Sequence, residues 1–140
     1  MSPETRLWNQ ALPDARDRVA QASRQQRAKA MTHVLFVCSK NQLRSPTAEQ
    51  LFSCWPGIEV ASAGTDPKAD QPLSPELLQW ADLIFLMEAS HRRKLKARFS
   101  RHIKQQRLIV LNIADDYQFM EPALIDILKQ RVIGHLPPAR

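Results

Sequence analysis

Four short apolar runs alternate with segments that carry helix-start signals, and this alternation limits the fold more than any other feature of the chain. The runs cover residues 34–37, 58–61, 83–87 and 108–111. Three of them are apolar at every position, which is typical of strands buried on both faces of a sheet. Strands that are separated by helices are joined by right-handed crossovers and lie parallel. The sequence therefore predicts an α/β fold with a four-stranded parallel sheet and helices on both faces.

Helix starts follow three of these runs. Pro46, Pro75 and Pro122 each stand at the beginning of a helical pattern, where a missing backbone N–H costs nothing. The remaining helix is predicted in the basic segment 91–107, in which Leu95, Phe99 and Ile103 recur every four residues.

The domain organisation follows from a change of composition near residue 31. Residues 1–30 are rich in Arg, Gln and Ala and poor in large apolar side chains, which predicts a basic extension that is disordered or loosely helical. Residues 31–135 are predicted to form the α/β domain, and residues 136–140 a tail. Met31 is an alternative start of the chain, and the sequence leaves that question open.

Composition excludes several classes of protein. Every apolar run is much shorter than the ~18 residues of a membrane span, and the N-terminus lacks the apolar segment of a secretory signal. Two cysteines do not make a disulfide framework, so a reducing cytoplasm is predicted. The four histidines and two cysteines lack the spacing of metal ligands, so no metal or other cofactor is expected.

The net charge of +6 is concentrated in residues 91–107, which contain no acidic side chain. One interpretation is a surface for an anionic partner, such as a phosphorylated protein. Nucleic acid is not favoured, because no aromatic side chains are interleaved for base stacking. The other interpretation, a solvated helix face, is the commoner case and is favoured by the sequence alone.

The segment between Cys38 and Ser45 carries the most specific chemistry. It leaves a predicted buried strand and enters a predicted helix, so its backbone N–H groups can form a concave anion site that the helix N-terminus reinforces. Arg44 supplies a planar fork for two phosphate oxygens. A thiol beside an arginine at a helix N-terminus ionises readily, so Cys38 is predicted to be a thiolate nucleophile. The alternative is that Cys38 is a small buried apolar residue.

Neighbouring residues extend this prediction. Lys40 adds positive charge, Ser45 can hydrogen-bond the Cys38 sulfur, and Asn41 tolerates a left-handed backbone. An ester oxygen that leaves also needs a proton. Asp115 follows the fourth run, at the same end of the sheet as Cys38, and is the first choice for this acid. Asp116 is the second choice, and both are also ordinary loop residues.

Taken together, these motifs resemble the low-molecular-weight protein tyrosine phosphatase family. The resemblance spans about residues 34–132 and rests on the loop 38–45 with the start of its helix, on the motif 62–65, on residues 81–88 and on the acid loop 115–117. It implies a three-layer sandwich and hydrolysis of phosphomonoesters, with phosphotyrosine as the expected substrate, through a phosphocysteine intermediate without metal.

The resemblance also assigns roles to residues. It implies that Cys38 is the nucleophile, Arg44 the phosphate ligand and Asp115 the acid and later the base. Ser62 is expected to hydrogen-bond Asn41 and support the loop. The predicted substrate-binding residues are Ser39, Lys40, Asn41, Gln42, Leu43, Ser45 and Tyr117.

The chain departs from the family pattern at several positions. Lys40 stands where the family has glycine, Leu43 where many members have a second cysteine, and Asp116 where the acid loop has proline. The segment between Thr65 and Ala81 is shortened, which leaves Tyr117 and Phe119 as the obvious aromatic walls of a pocket.

Two other functions remain open at this stage. An arsenate reductase-like enzyme would use a similar fold and loop, but it needs further cysteines, and only Cys54 is present. A phosphate- or phosphopeptide-binding module without turnover would use the same loop and the basic segment.

Overall fold

The computed structural model describes residues 31–138 and contains one parallel sheet in that range. Its strands are β1 (Thr32–Cys38), β2 (Ile58–Gly64), β3 (Leu83–Leu86) and β4 (Arg107–Val110). They lie in the order β2-β1-β3-β4, and every neighbouring pair is parallel. The α/β fold predicted from the alternation of apolar runs and helices is confirmed.

Four α-helices connect and follow the strands: α1 (Arg44–Phe52), α2 (Pro75–Trp80), α3 (Ala89–Phe99) and α4 (Pro122–Val132). The side chain of Ser74 caps α2 by accepting a hydrogen bond from the Leu77 N–H at 3.2 Å. Pro46 lies in the first turn of α1, and Pro75 and Pro122 are the first residues of α2 and α4. Two short 3₁₀ helices cover Ser100–His102 and Ile133–His135.

Alternate residues of β1 point to two separate cores. Val34, Phe36 and Cys38 face one core, which α1 and α4 cover. Leu35 and Val37 face the other core, which α2 and α3 cover. This alternation is the two-residue period of a strand, and it divides the domain into helix, sheet and helix layers.

The basic segment 91–107 forms more than one element. Helix α3 ends at Phe99, a 3₁₀ helix follows, and Arg107 already belongs to β4. Leu95 is fully buried, while Phe99 and Ile103 are partly buried against the same core. The predicted apolar stripe therefore packs on the sheet, but Ile103 lies beyond the end of the α-helix, which corrects the prediction of one continuous basic helix.

Strand β2 is longer than its apolar run suggests, because residues 62–64 also pair with β1. Cys38 and Gly64, the last residues of β1 and β2, are paired in register. Beyond Gly64 the chain turns back along this end of the sheet: the N–H of Gly64 donates to Gln71 O and the N–H of Leu73 donates to Gly64 O, at 2.8 and 2.9 Å. The segment that the sequence marked as shortened therefore lies beside the end of β2.

The predicted extension over residues 1–30 and the last two residues of the predicted tail lie outside the described residues. Leu136, placed in the predicted tail, is buried in the core next to α4. The indole N–H of Trp55 donates to Pro137 O at 2.8 Å. Packing of the domain therefore continues at least to Pro137. Within residues 31–138, no helix is both long enough and apolar enough to cross a membrane.

Candidate active site

The loop from Cys38 to Arg44 joins the carboxyl end of β1 to the first residue of α1. Asn41 adopts a left-handed conformation with φ of 56°, which asparagine tolerates better than most residues. Among residues 31–138, positive φ occurs at Asn41, Gly57, Asn112 and Met120, and not at Lys40. Lysine at the position where the family has glycine therefore carries no left-handed strain.

A chain of directed hydrogen bonds lies behind this loop. The Asn41 side-chain amide donates to Ser45 Oγ and to Ser62 Oγ, both at 2.9 Å. The Ser62 hydroxyl in turn donates to the carboxylate of Glu49 on α1. Ser45 Oγ, which accepts from Asn41, lies 2.9 Å from Cys38 Sγ and 3.5 Å from Ala63 O, so its hydroxyl hydrogen can be donated to the sulfur. A donor aimed at the sulfur stabilises a thiolate.

The segment after β2 holds the loop from its other side. The N–H groups of Thr65, Asp66 and Asp70 donate to the carbonyls of residues 38, 39 and 40, at 2.9, 2.9 and 3.2 Å. Gly64 permits this approach, because a Cβ there would lie 2.5 Å from both Ser39 O and the Ala69 Cβ. The carbonyls of the loop therefore point towards this segment.

Arg44 lies among the carboxyl ends of β1, β3 and β4 and is only 2 % exposed. Its NH1 group donates to Ile113 O at 2.7 Å and lies 3.1 Å from Glu88 Oε2. Its Nε atom lies 3.6 Å from Asp115 Oδ1. The guanidinium is thus fixed by residues that follow two other strands, and Asp115 lies beside it.

A cleft of about 290 Å³ opens at this loop, and its lining contains most of the residues that the sequence singled out: Cys38, Ser39, Lys40, Gln42, Leu43, Arg44 and Asp115. The side chains of Asn41, Ser45 and Ser62 do not line the cleft, and they bond to one another behind the loop. The structure therefore brings together the three side chains predicted to be catalytic. Asp116, the second choice for the acid, is exposed and does not line this cleft.

The two predicted aromatic walls lie elsewhere. Tyr117 is partly buried against the core that α1 and α4 cover. Phe119 is 46 % exposed and lines a different groove of about 680 Å³, together with residues of α1 and β2. No aromatic side chain from residues 31–138 lines the cleft at Cys38. A substrate-binding role for Tyr117 stays a prediction.

His91 lies in the basic segment, where nothing in the sequence singles it out, and it is fully buried behind the loop. Its Nδ1 atom accepts the N–H of Glu88 at 3.0 Å, and its Nε2 atom lies 2.9 Å from Ser39 Oγ. Burial, followed by the charge of Arg44, lowers the pKa of His91 from 6.5 to about 4. The imidazole is therefore neutral at physiological pH.

Three further residues contribute to the candidate site in ways that could not be recognised in the sequence. Glu88 looked like part of the third strand motif, Ile113 acts through its backbone carbonyl, and Glu49 looked like an ordinary helix residue. Each depends on a partner far away in the chain. The one available signal was position: Glu88 and Ile113 follow the third and fourth strands and hence lie at the carboxyl edge of the sheet.

Both cysteines are free: Cys38 is buried in the loop, and Cys54 is exposed just beyond α1. Helix α1 lies between them, and its nine residues rise by about 14 Å along the helix axis. Within residues 31–138, no three His, Cys, Asp or Glu side chains gather in a way that could hold a metal ion.

The likeness of this chain to known proteins lies in its fold. No family model matches the sequence, and no curated protein sequence matches it either. Solved structures do match, and they include low-molecular-weight protein tyrosine phosphatases. The chain has the fold of this class, so the resemblance in fold that the motifs implied is confirmed.

Three of these structures illustrate the likeness. The tyrosine phosphatase AmsI from Erwinia amylovora is 23 % identical with a TM-score of 0.61, and the match covers 77 % of this chain and 95 % of AmsI. A low-molecular-weight protein tyrosine phosphatase from T. tengcongensis is 24 % identical with a TM-score of 0.56, over 72 % and 99 % of the two chains. The YwlE arginine phosphatase from Geobacillus stearothermophilus is 23 % identical with a TM-score of 0.53, over 74 % and 94 %.

Proposed function

We propose that the chain is a cysteine-dependent phosphomonoester hydrolase that acts on phosphorylated proteins through a phosphocysteine intermediate. One observation carries this proposal: Cys38, Arg44 and Asp115 line the same cleft, and Ser45 Oγ lies within hydrogen-bond distance of the Cys38 sulfur. The phosphatase fold of the structural neighbours supports the same reaction class.

In the first step the Cys38 sulfur attacks phosphorus, the S–P bond forms and the ester O–P bond breaks. Asp115 donates its proton to the departing oxygen. Arg44 and the backbone N–H groups of the loop bind the non-bridging oxygens, where charge accumulates in the transition state.

In the second step water attacks the phosphocysteine. The Asp115 carboxylate takes a proton from that water, the S–P bond breaks, and inorganic phosphate leaves. The Ser45 hydroxyl, 2.9 Å from the sulfur, stabilises the thiolate that departs.

Phosphotyrosine is the first candidate substrate, as the sequence motifs imply and as AmsI, a tyrosine phosphatase, suggests. Phosphoarginine is a second candidate; it is a phosphoramidate, so an N–P bond would break in place of the ester O–P bond and Asp115 would protonate the departing nitrogen. The neighbour YwlE is an arginine phosphatase, and no aromatic ring from residues 31–138 lines the cleft to stack on a phenyl group. Parallel assays on one peptide sequence that carries either modification would decide between them.

The central test is metal-free hydrolysis of an aryl phosphate by matched variants. Cys38→Ser should abolish turnover, whereas Cys54→Ser should retain it, because that thiol is exposed and lies beyond α1. Mass spectrometry of the rapidly quenched wild type should find one phosphoryl group on Cys38. If Cys38→Ser keeps the wild-type rate, the proposal is wrong.

The acid is tested in the same assay. Asp115→Asn should lower kcat by ~10²–10⁴-fold while phosphate still binds, because general acid catalysis is lost and the anion site stays. Asp116→Asn is the control and should stay near the wild-type rate. The opposite pattern would make Asp116 the acid.

The alternatives are outcomes of these assays. A binding module would bind phosphate or tungstate but hydrolyse no phosphoester. An arsenate reductase would need a second thiol near Cys38, and the position of Cys54 beyond the far end of α1 counts against it. Two unpaired thiols fit the reducing cytoplasm that we propose as the location.

We propose that the basic helix α3 contacts acidic residues of a phosphorylated protein substrate. Its exposed surface carries Arg92, Arg93, Lys94 and Lys96, besides Arg98, which donates to Thr65 O. Among residues 31–138 none of these four forms a salt bridge. The helix begins beside the loop, since His91 in its first turn contacts Ser39. Its charge therefore lies next to the cleft.

A further inference from the structure

A hydrogen bond between Ser39 and His91 links the nucleophile loop to helix α3. Ser39 Oγ and His91 Nε2 are 2.9 Å apart. Ser39 lines the cleft next to Cys38, whereas His91 is fully buried behind it. The catalytic steps described above use neither side chain.

The surroundings of His91 determine which atom donates in its hydrogen bond with Ser39. Its Nδ1 atom faces the backbone N–H of Glu88 at 3.0 Å, and a backbone N–H can only donate. Nδ1 must therefore be the unprotonated nitrogen of a neutral ring. The ring hydrogen then lies on Nε2, which donates to Ser39 Oγ. The lowered pKa of His91, about 4, agrees with this neutral form.

The direction of this bond determines what the Ser39 hydroxyl can do. Its oxygen accepts from His91, so its hydrogen remains to be donated. Within residues 31–138, Ser39 Oγ has no hydrogen-bond partner besides His91. Because Ser39 lines the cleft, this hydrogen is available to a molecule bound there.

We propose that His91 is a positioning residue that holds the Ser39 hydroxyl as a hydrogen-bond donor to the phosphoryl group in the cleft. The proposal rests on the proposed function, since it takes phosphate as the ligand of the cleft. It adds a side-chain donor to the backbone N–H groups and Arg44, and it connects that donor to the start of the basic helix.

The first test measures binding of inorganic phosphate, by competition against an aryl phosphate and by calorimetry. Ser39→Ala should weaken phosphate binding by roughly tenfold, the expected loss of one hydrogen bond to a charged group. Ser39→Thr keeps the hydroxyl and should stay within about threefold of the wild type. If Ser39→Ala binds phosphate as tightly as the wild type does, the proposed donor does not exist.

The second test separates positioning from mere support. His91→Asn keeps a short acceptor for the Glu88 N–H but cannot reach Ser39. It should weaken phosphate binding as Ser39→Ala does, and the double variant should be no weaker than either single variant. Additive losses in the double variant would mean that His91 acts independently of Ser39, and the positioning role would be rejected.

A direct observation of the tautomer covers the case in which His91→Asn fails to fold. Nitrogen chemical shifts of the wild-type protein at neutral pH should show a neutral His91 with its hydrogen on Nε2. A ring protonated on Nδ1 would contradict the inference. A different result is expected if this inference holds but the proposed function is wrong. Phosphate would then bind in a manner sensitive to Ser39→Ala, but Cys38 would hydrolyse no phosphoester.

Discussion

Asn41, in the nucleophile loop, and Gly64, which packs against that loop from the end of β2, are two positions that permit little substitution. Asn41 combines a left-handed conformation with two donated hydrogen bonds, so both its backbone and its side chain are used. Gly64 is used through the absence of a side chain, because Ser39 O and Ala69 pack directly against its Cα. The serine–asparagine chain behind Cys38 depends on both residues.

Gly64→Ala should therefore destabilise the domain and disturb the loop. The new methyl group would lie 2.5 Å from the backbone oxygen of Ser39, which cannot move without breaking its bond from Asp66 N. Overpacking of this kind costs about 1–3 kcal/mol in the free energy of unfolding. Urea unfolding measures this cost, and kcat for an aryl phosphate should fall in the same variant.

Gly134→Ala is the matched control for that substitution. A Cβ at residue 134 meets nothing within 4 Å, and its φ is not positive. Stability should stay within about 1 kcal/mol of the wild type or rise slightly, because alanine restricts the unfolded chain. Equal losses at residues 64 and 134 would mean that close approach to Ser39 is not what requires glycine.

Helix α3 joins the sheet to the loop through its first turn. The Glu88 side chain accepts from the backbone of His91, and His91 accepts from the backbone of Glu88, which makes a reciprocal cap. Glu88 also pairs with Arg44, while His91 contacts Ser39. The same turn that starts the helix therefore fixes two residues of the cleft.

Burial of a neutral His91 makes stability depend on pH. The pKa is 6.5 in the unfolded chain and about 4 in the folded one, so between these values the unfolded chain binds a proton that the folded chain does not. Stability is fully present above pH 6.5 and falls as the pH drops towards 4. The total loss is on the order of 3 kcal/mol.

Urea unfolding between pH 4 and 7 measures this effect in the wild type and in His91→Asn. The variant lacks the titrating ring, so its stability should fall less steeply over that window. His135→Asn, at an exposed histidine, is the control and should keep the wild-type slope. An unchanged slope in His91→Asn would show that the loss on acidification comes from other groups.

The sequence predicted the elements well because their signals are local. Apolar runs marked the four strands, and proline or serine marked the starts of α1, α2 and α4. The end of α3 was not predicted, since the four-residue apolar spacing continues through Ile103 although the helix stops at Phe99. Spacing in the sequence does not distinguish an α-helix from a helix followed by a packed connection.

The candidate site also divides into residues with a local signal in the sequence and residues without one. Residues of the loop 38–45 and Asp115 could be singled out in the sequence because they lie together in a motif or just after a strand. His91 and Glu88 were missed because they act through contacts across the sheet. Tyr117 was chosen for its aromatic ring, which is partly buried against the core, and its role in substrate binding stays a prediction.

At the scale of the whole molecule, positive charge is distributed unevenly. The net charge is +6, and the stretch 91–107 has no acidic side chain to balance it. In the described domain, α3 covers one face of the sheet, whereas α4, which carries Lys129, covers the other. An anionic protein that approaches the cleft would therefore meet a stronger field on the α3 side.

Charge reversal on α3 tests whether that field serves substrate binding. For a phosphopeptide with acidic flanking residues, Arg92→Glu combined with Lys96→Glu should lower kcat/KM by about tenfold at low salt. The difference in kcat/KM between the double variant and the wild type should disappear near 1 M salt, where the screening length is ~3 Å. A peptide with Asn and Gln in place of the acidic residues should respond much less, and Lys129→Glu on α4 should change neither rate. Equal effects on both peptides would show that the charge acts on the phosphoryl group alone and that α3 does not contact the flanking residues.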